Sequence, residues 1–393
     1  MNNVESLGTQ LDGLQRRSAI VGALGLALCF AGALANPLQF FQSYLEAYLF
    51  WIGISLGCLA LVMTHHLVGG TWGIPVRRLF EAGSRTLPLT ALLFVPILVG
   101  MRSLYVWARP QAVAADPLLQ LKSAYLNVPA YGIRTMLYFV VWIVVAHFLS
   151  KWSLEQDRTA DASLTRCLRM LSGPGLVLYG LTVTFSSIDW VMSLEPEWHS
   201  TMYGMIFMAA QGLQALAFVI IVSHLLARLG PLGQVALPPR FHDLGNLTLT
   251  FLMLWTYTAF SQFLIIWAEN LTDEVPWYLH RMTGGWQGIG LALILLQFAL
   301  PFVLLLSRVI KRNSFPLSLV AMLILGMQLV NLFWLVAPAF HPGAFSLHWM
   351  DVMAPVGIGG LWIAMFVRQL QGRSLVPLHD PRLEGVAGHA EGV

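Results

Sequence analysis

Charge is what this sequence most lacks: Asp, Glu, Lys and Arg make up 10% of 393 residues, against about a quarter in an ordinary soluble domain. Cysteine is scarce too. Cys29, Cys58 and Cys167 stand far apart, two of them inside apolar runs, which excludes a disulfide framework, a CxxC pair and a CxxCH haem attachment. They read as small buried hydrophobes. No HxxxH or HxxE spacing offers a metal site. The net charge is only +3 and the basic residues are dispersed, with no aromatic-lined basic groove, so nucleic acid is not an expected partner. The extended polar stretches, 1–18, 109–131, 151–170 and the tail from 371, are each too short to bury a core. No separate water-soluble domain is expected.

What fills the chain instead is hydrocarbon, at 57% of residues. Runs of about the length that spans a bilayer fall at 19–35, 45–68, 87–108, 132–150, 171–192, 202–228, 244–268, 284–307, 316–337 and 349–369. They predict an all-α integral membrane protein with ten transmembrane helices in one polytopic domain, 1–393, and both termini on the cytoplasmic side. Arg16 and Arg17 before a run ending Ala33-Leu34-Ala35 would also suit a cleavable leader; an uncleaved anchor is the expectation. The arrangement puts seventeen of the 22 Lys and Arg residues, from Arg16 through Arg228 to Arg382, on the inner side, the expected positive-inside bias. Trp107, Trp198, Tyr203, Trp277, Tyr278, Trp334 and Trp349 fall on the outer side as an expected interfacial belt. Pro96, Pro174, Pro301 and Pro355 predict kinks. Gly53 and Gly57 predict a close helix contact.

The stretch FSSIDWVMSLEPEWHSTMYG, residues 185–204, carries the most chemistry. It places Asp189 about a turn inside an apolar span, where a carboxylate is costly and marks a functional candidate. Glu195, Glu197 and His199 follow. Across the ten spans the titratable groups separate into two layers. His65, His66, His147, His224, His242 and Asp243 lie towards the inner ends. Asp189, Glu195, Glu197, His199, Glu269, Asp273, Glu274, His280, His341, His348 and Asp351 lie towards the outside. Uncharged Thr182, Thr184, Gln211, Gln214, Gln262, Gln297 and Asn331 fall between. A proton path needs such an arrangement, although headgroup-level histidines, solvated loop carboxylates and interhelical amide bonds would produce much of it. A transmembrane haem would need two imidazoles at one depth on facing helices, for which His66, His147 and His224 are the candidates.

The runs IDWVMSLEPEWHSTMYG (188–204), FHDLGNLTLTFLMLWTYTAFSQFLIIWAENLTDEVPWYLHR (241–281) and LHWMDVMAPVGIGGLWIAMFVRQLQGRSLVPLHDPRLE (347–384) resemble the F subunit of bacterial alternative complex III, a relative of the NrfD and PsrC type of membrane anchor. The resemblance implies two four-helix bundles, from the second to fifth and sixth to ninth spans, plus two peripheral helices. It implies a subunit of a quinol:cytochrome c oxidoreductase in the bacterial inner (plasma) membrane, within a respiratory or photosynthetic electron transport chain. No cofactor would be covalently bound to this chain; menaquinol or another quinol would bind nearby, and the haems and iron-sulfur clusters would sit on partners. Those partners would be a pentahaem cytochrome, an iron-sulfur subunit, a sister NrfD-like subunit and small membrane subunits, with lipids around them. The chain would supply proton transfer and an assembly scaffold. On that reading Asp189 is an outer relay, His147 a deeper one, and His65, His66, His224 and Asp243 an inner uptake group. Glu195, His199, Glu269 and Asp351 are outer candidates. Two other readings stand beside it: quinol binding by this chain, with His147 and Asp189 as the hydrogen-bonding pair, or a purely structural anchor. A stand-alone carrier would fit ten helices, but matched broken-helix pairs are not evident.

Overall fold

A computed structural model describes residues 2–70, 72–161, 163–229 and 238–375, apart from the side chains of 2–7, 228 and 229. Arg382 and the Arg228 side chain, two of the expected inner cations, lie outside the described residues. The protein is an all-α integral membrane protein: ten helices among the described residues are long and apolar enough to cross a membrane. They are α1 (Asn2–Ala35), α2 (Pro37–Val68), α3 (Arg77–Val99), α4 (Val128–Thr159), α5 (Ser163–Trp190), α6 (Tyr203–Leu229), α7 (Pro238–Glu269), α8 (Trp286–Leu306), α9 (Ser314–Val336) and α10 (Trp349–Leu370).

Polar caps start several of these helices by satisfying amides that the first turn leaves unpaired. The side chains of Asn36, Asn127 and Asn313 accept from backbone N–H groups at the starts of α2, α4 and α9. His348 and Asp351 form a reciprocal cap on α10. In α3 the helix is broken into Arg77–Ser84, Leu87–Leu93 and Val95–Val99, the last two segments each beginning around a proline. In α8 a π-helical stretch, Leu293–Ala299, precedes Pro301. A proline there cannot donate to the carbonyl four residues back, and the wider turn accommodates the lost bond.

All ten expected spans are present, but the third starts at Arg77 and ends at Val99 where 87–108 was expected. The reason is charge pairing: Arg77, Arg78 and Glu81, which look like a loop, neutralise one another and enter the bundle. Helices α2 to α5 pack around one axis and α6 to α9 around a second, with α2 touching α6 and α9 where the bundles meet. Helix α10 lies on α2 and α3, and α1 runs along α10. That last contact is a glycine seam, Gly22 and Gly25 against Gly360 and Gly357; a Cβ on Gly360 would lie 2.5 Å from the Gly22 Cα. Gly57 likewise lies against the backbone of Gln211, the expected close contact of α2 with another helix.

The expected outer aromatic belt is mostly folded inward. Trp107, Trp198, Tyr203, Trp277 and Tyr278 are buried, and only Trp349 of the seven is exposed. Trp198 stacks on Trp277 at 4.5 Å, and the Arg281 guanidinium lies 3.6 Å over the Trp277 ring. These rings form a cap over the helix ends that the basic-residue bias assigns to the outside, and leave Trp349 and Trp267 exposed.

Candidate functional site

Helix α2 is the axis of the molecule. The apolar window of α2 is 83% buried, more than that of any other span, yet it carries polar groups along its length. Gln39, Gln42, Ser43, Glu46, Gly53 and Gly57 recur at helical intervals and share one face. At its outer end Asp351 of α10 accepts from Gln39 at 2.9 Å and from Ser43 at 2.5 Å, while its second oxygen takes the His348 backbone N–H at 2.7 Å. Glu46 is 4% exposed and makes no hydrogen bond or ion pair to the described residues. The charge that acts on it is another carboxylate, Asp351. Sequence reasoning missed Glu46, although a single acid on the same face as Gln39, Gln42 and Ser43 was a legible signal.

Further along this face a cavity of about 20 Å³ lies where the bundles meet, lined by Gly53, Ser186, Gln211, Gln214 and Asn331 among apolar neighbours. Tyr179 donates to Gln211 at 2.7 Å, whereas Gln214 Oε1 is buried without a partner among the described residues. That volume suits a water with polar partners. It is far below the several hundred Å³ of a small-molecule pocket. The inner end of α2 carries His65 and His66, both buried, with ring centroids 6.0 Å apart and His65 edge-on to Trp72.

Two clusters hold paired charge. Near the outer face Asp189 of α5 is fully enclosed, and Arg134 of α4 grips it with two bonds of 2.9 and 2.8 Å. Tyr138 adds a bond of 2.8 Å, and Arg134 also donates to the Tyr125 carbonyl and lies 3.9 Å over its ring. Burial first, and Asp189 second, push the Tyr125 hydroxyl well above its usual range. At the inner face Glu81 accepts from Arg77 at 2.9 Å, Arg78 at 2.5 Å and Ser153 at 2.6 Å, and Arg78 also pairs with Asp157. Ser153 donates once and accepts from both arginines, so its hydroxyl is saturated. Just beyond it the pKa of Arg373 is brought down to about 10 by burial and then by Arg85.

The remaining sequence candidates are scattered. Glu195 is bonded to the buried Arg281 at 2.7 Å and faces His280 at 3.5 Å. His199 is 65% exposed, 3.6 Å from Glu274. Glu269 is exposed, and Asp243 is half-buried. His224 is buried and bonded to Ser314 at 2.9 Å. His242 meets Asn246, which also accepts from Lys311 at 2.6 Å; burial, then Arg308, lowers the Lys311 pKa. His147 departs furthest from its expected place. It is exposed on the outer surface of α4, touching the ring of its neighbour Phe148, and so does not meet Asp189, His66 or His224. The described residues contain no group of three or more His, Cys, Asp or Glu that could hold a metal. In comparisons with known proteins, no family model and no curated protein matches the chain.

Proposed function

We propose that this chain is the membrane subunit of a quinol-oxidising complex, as its three motifs suggest, and that it carries protons along α2 while partner subunits carry electrons. The observation that carries the proton route is Glu46: a buried carboxyl with no cation beside it, on the helix that links Asp351 to His65 and His66. Taking an ion into such surroundings without a partner costs several kcal/mol. A group kept there at that cost is suited to trading a proton with water. From Glu46 to His66 is twenty residues, or about 30 Å along a helix, roughly the thickness of the hydrocarbon layer. The water-sized cavity with its unpaired Gln214 amide oxygen falls between them.

Asp189 has a different place in this reading. Its charge is already matched by Arg134, so it ties α4 to α5, and the relay passes to Glu46 and Asp351. Quinol binding by this chain gains no support from the expected pair, because His147 and Asp189 do not meet, and the cavity beside Gln214 is too small for a quinone ring. Glu46→Gln tests the route. In the purified complex this variant should lower proton-coupled quinol turnover by about a hundredfold, within the usual range for a lost proton-transfer group. Turnover and proton release at the level of the unmodified complex would exclude the route along α2. A chain that purifies alone, without haem and iron-sulfur partners, would exclude the complex itself.

A further inference from the structure

A second concavity, on the outside of the bundle, has nothing to do with the proton route. A groove of about 430 Å³ runs between α1, α2, α9 and α10. Its floor is Trp51 against Gly359; a Cβ on that glycine would come within 2.6 Å of the indole ring, so the absence of a side chain is what gives the groove its depth. The indole N–H is already engaged, donating to the Pro355 carbonyl at 2.9 Å. With that donor occupied, the rest of the lining is almost wholly hydrocarbon, including Val21, Val356 and Ile363.

One end is different. Arg17 closes the groove, is exposed, and has no hydrogen-bond or ion-pair partner among the described residues. The register of the glycine seam sets its height: Gly25 faces Gly357 and Gly22 faces Gly360 and Leu361, so Arg17 stands about level with residue 365 of α10. From there to Pro355 is about ten residues, or about 15 Å of helix, half the hydrocarbon thickness. The basic-residue bias puts Arg17 at the inner face. The groove therefore has the length of one leaflet, an apolar body, and a cation where that leaflet's phosphates lie. With Arg16 exposed next to it, the mouth carries two positive charges, which favours a headgroup of net negative charge over a zwitterion.

We propose that this groove binds one anionic phospholipid of the inner leaflet, its phosphate on Arg17 and one acyl chain laid over Trp51 and Gly359. The test is native mass spectrometry of the purified protein with its partners, after exchange into phosphatidylcholine and titration with phosphatidylglycerol. One phosphatidylglycerol should be retained per chain. Arg17→Gln should weaken that retention by about tenfold, the value of a charge-assisted contact, and narrow the preference for phosphatidylglycerol over phosphatidylcholine. Val356→Trp, which fills the groove from an exposed position, should abolish retention. Arg17 is also exposed, so its variant carries the test if the tryptophan variant does not fold. Equal retention of the two lipids, an isoprenoid quinone in place of phospholipid, or unweakened retention in Arg17→Gln would each overturn the proposal.

Discussion

Asp189 and Glu46 are both buried carboxylates, one at the end of α5 and the other more than two turns into α2, and they keep opposite company. Asp189 has a guanidinium on both oxygens and a phenol besides. Glu46 has none of these, and the charge it feels most is a second acid. The inner cluster of Arg77, Arg78, Glu81 and Asp157 belongs with Asp189: two cations, two anions and a saturated serine. Burial alone therefore does not mark function in this protein. A buried charge with its partners in place ties helices together, whereas one without them is, on the proposed reading, free to trade a proton.

The largest expected effect follows from breaking a tie. Arg134→Ala leaves Asp189 enclosed and uncompensated, which should cost about 3–5 kcal/mol. It should appear as a large fall in the melting temperature of the detergent-purified protein, or as loss of folded protein. Replacing both partners by apolar residues, Arg134→Met with Asp189→Leu, should restore most of that loss, since a buried pair is often no more stabilising than a packed apolar one. If the double variant were as unstable as the single one, Asp189 would have a role beyond pairing. Glu46→Gln is the opposing arm. It removes no partner, so the melting temperature should stay near that of the unmodified protein while proton-coupled turnover falls.

Much of the fold was legible because span length is set by the bilayer: ten apolar runs predicted ten helices, and the three asparagine caps stood where helices begin. The start of α3 was not legible, because Arg77, Arg78 and Glu81 look like a solvated loop until Ser153 and Asp157 are brought in from α4. The site divides along the same line. Asp189 stood out as an expensive residue in an apolar run. Its partner Arg134 lies 55 positions away, a contact that no local pattern encodes; Arg134 and Tyr138 one turn apart on α4 were the available hint. The depth of a histidine along its span was legible, but the direction in which it faces was not. That is why His65, His66 and His224 turn inward and His147 does not.

A smaller effect is expected at the glycine seam, far from either kind of charge. A side chain on Gly360 would sit 2.6 Å from the Ser18 carbonyl oxygen as well as against Gly22. Gly360→Leu should force α1 away from α10 at a cost of about 1–3 kcal/mol, typical of overpacking. Thermal melts should register that modest loss, and turnover should hold. A loss of turnover as deep as that of Glu46→Gln would mean that the route depends on α1, and the comparison would have to include it.

The smallest effect is expected at His147, and it bears most directly on the proposed proton route. The imidazole is exposed on α4, makes no hydrogen bond to the described residues, and has its ring centroid 5.6 Å from that of Phe148. Substitutions at exposed positions away from special features usually change stability by less than about 0.5 kcal/mol. His147→Ala should therefore leave both the melting temperature and quinol turnover unchanged. An imidazole on the exposed side of α4 lies outside the bundle interior that holds Glu46. A fall in turnover for His147→Ala comparable to that of Glu46→Gln would move the path from α2 to the surface of α4, where a partner subunit would have to supply its other wall.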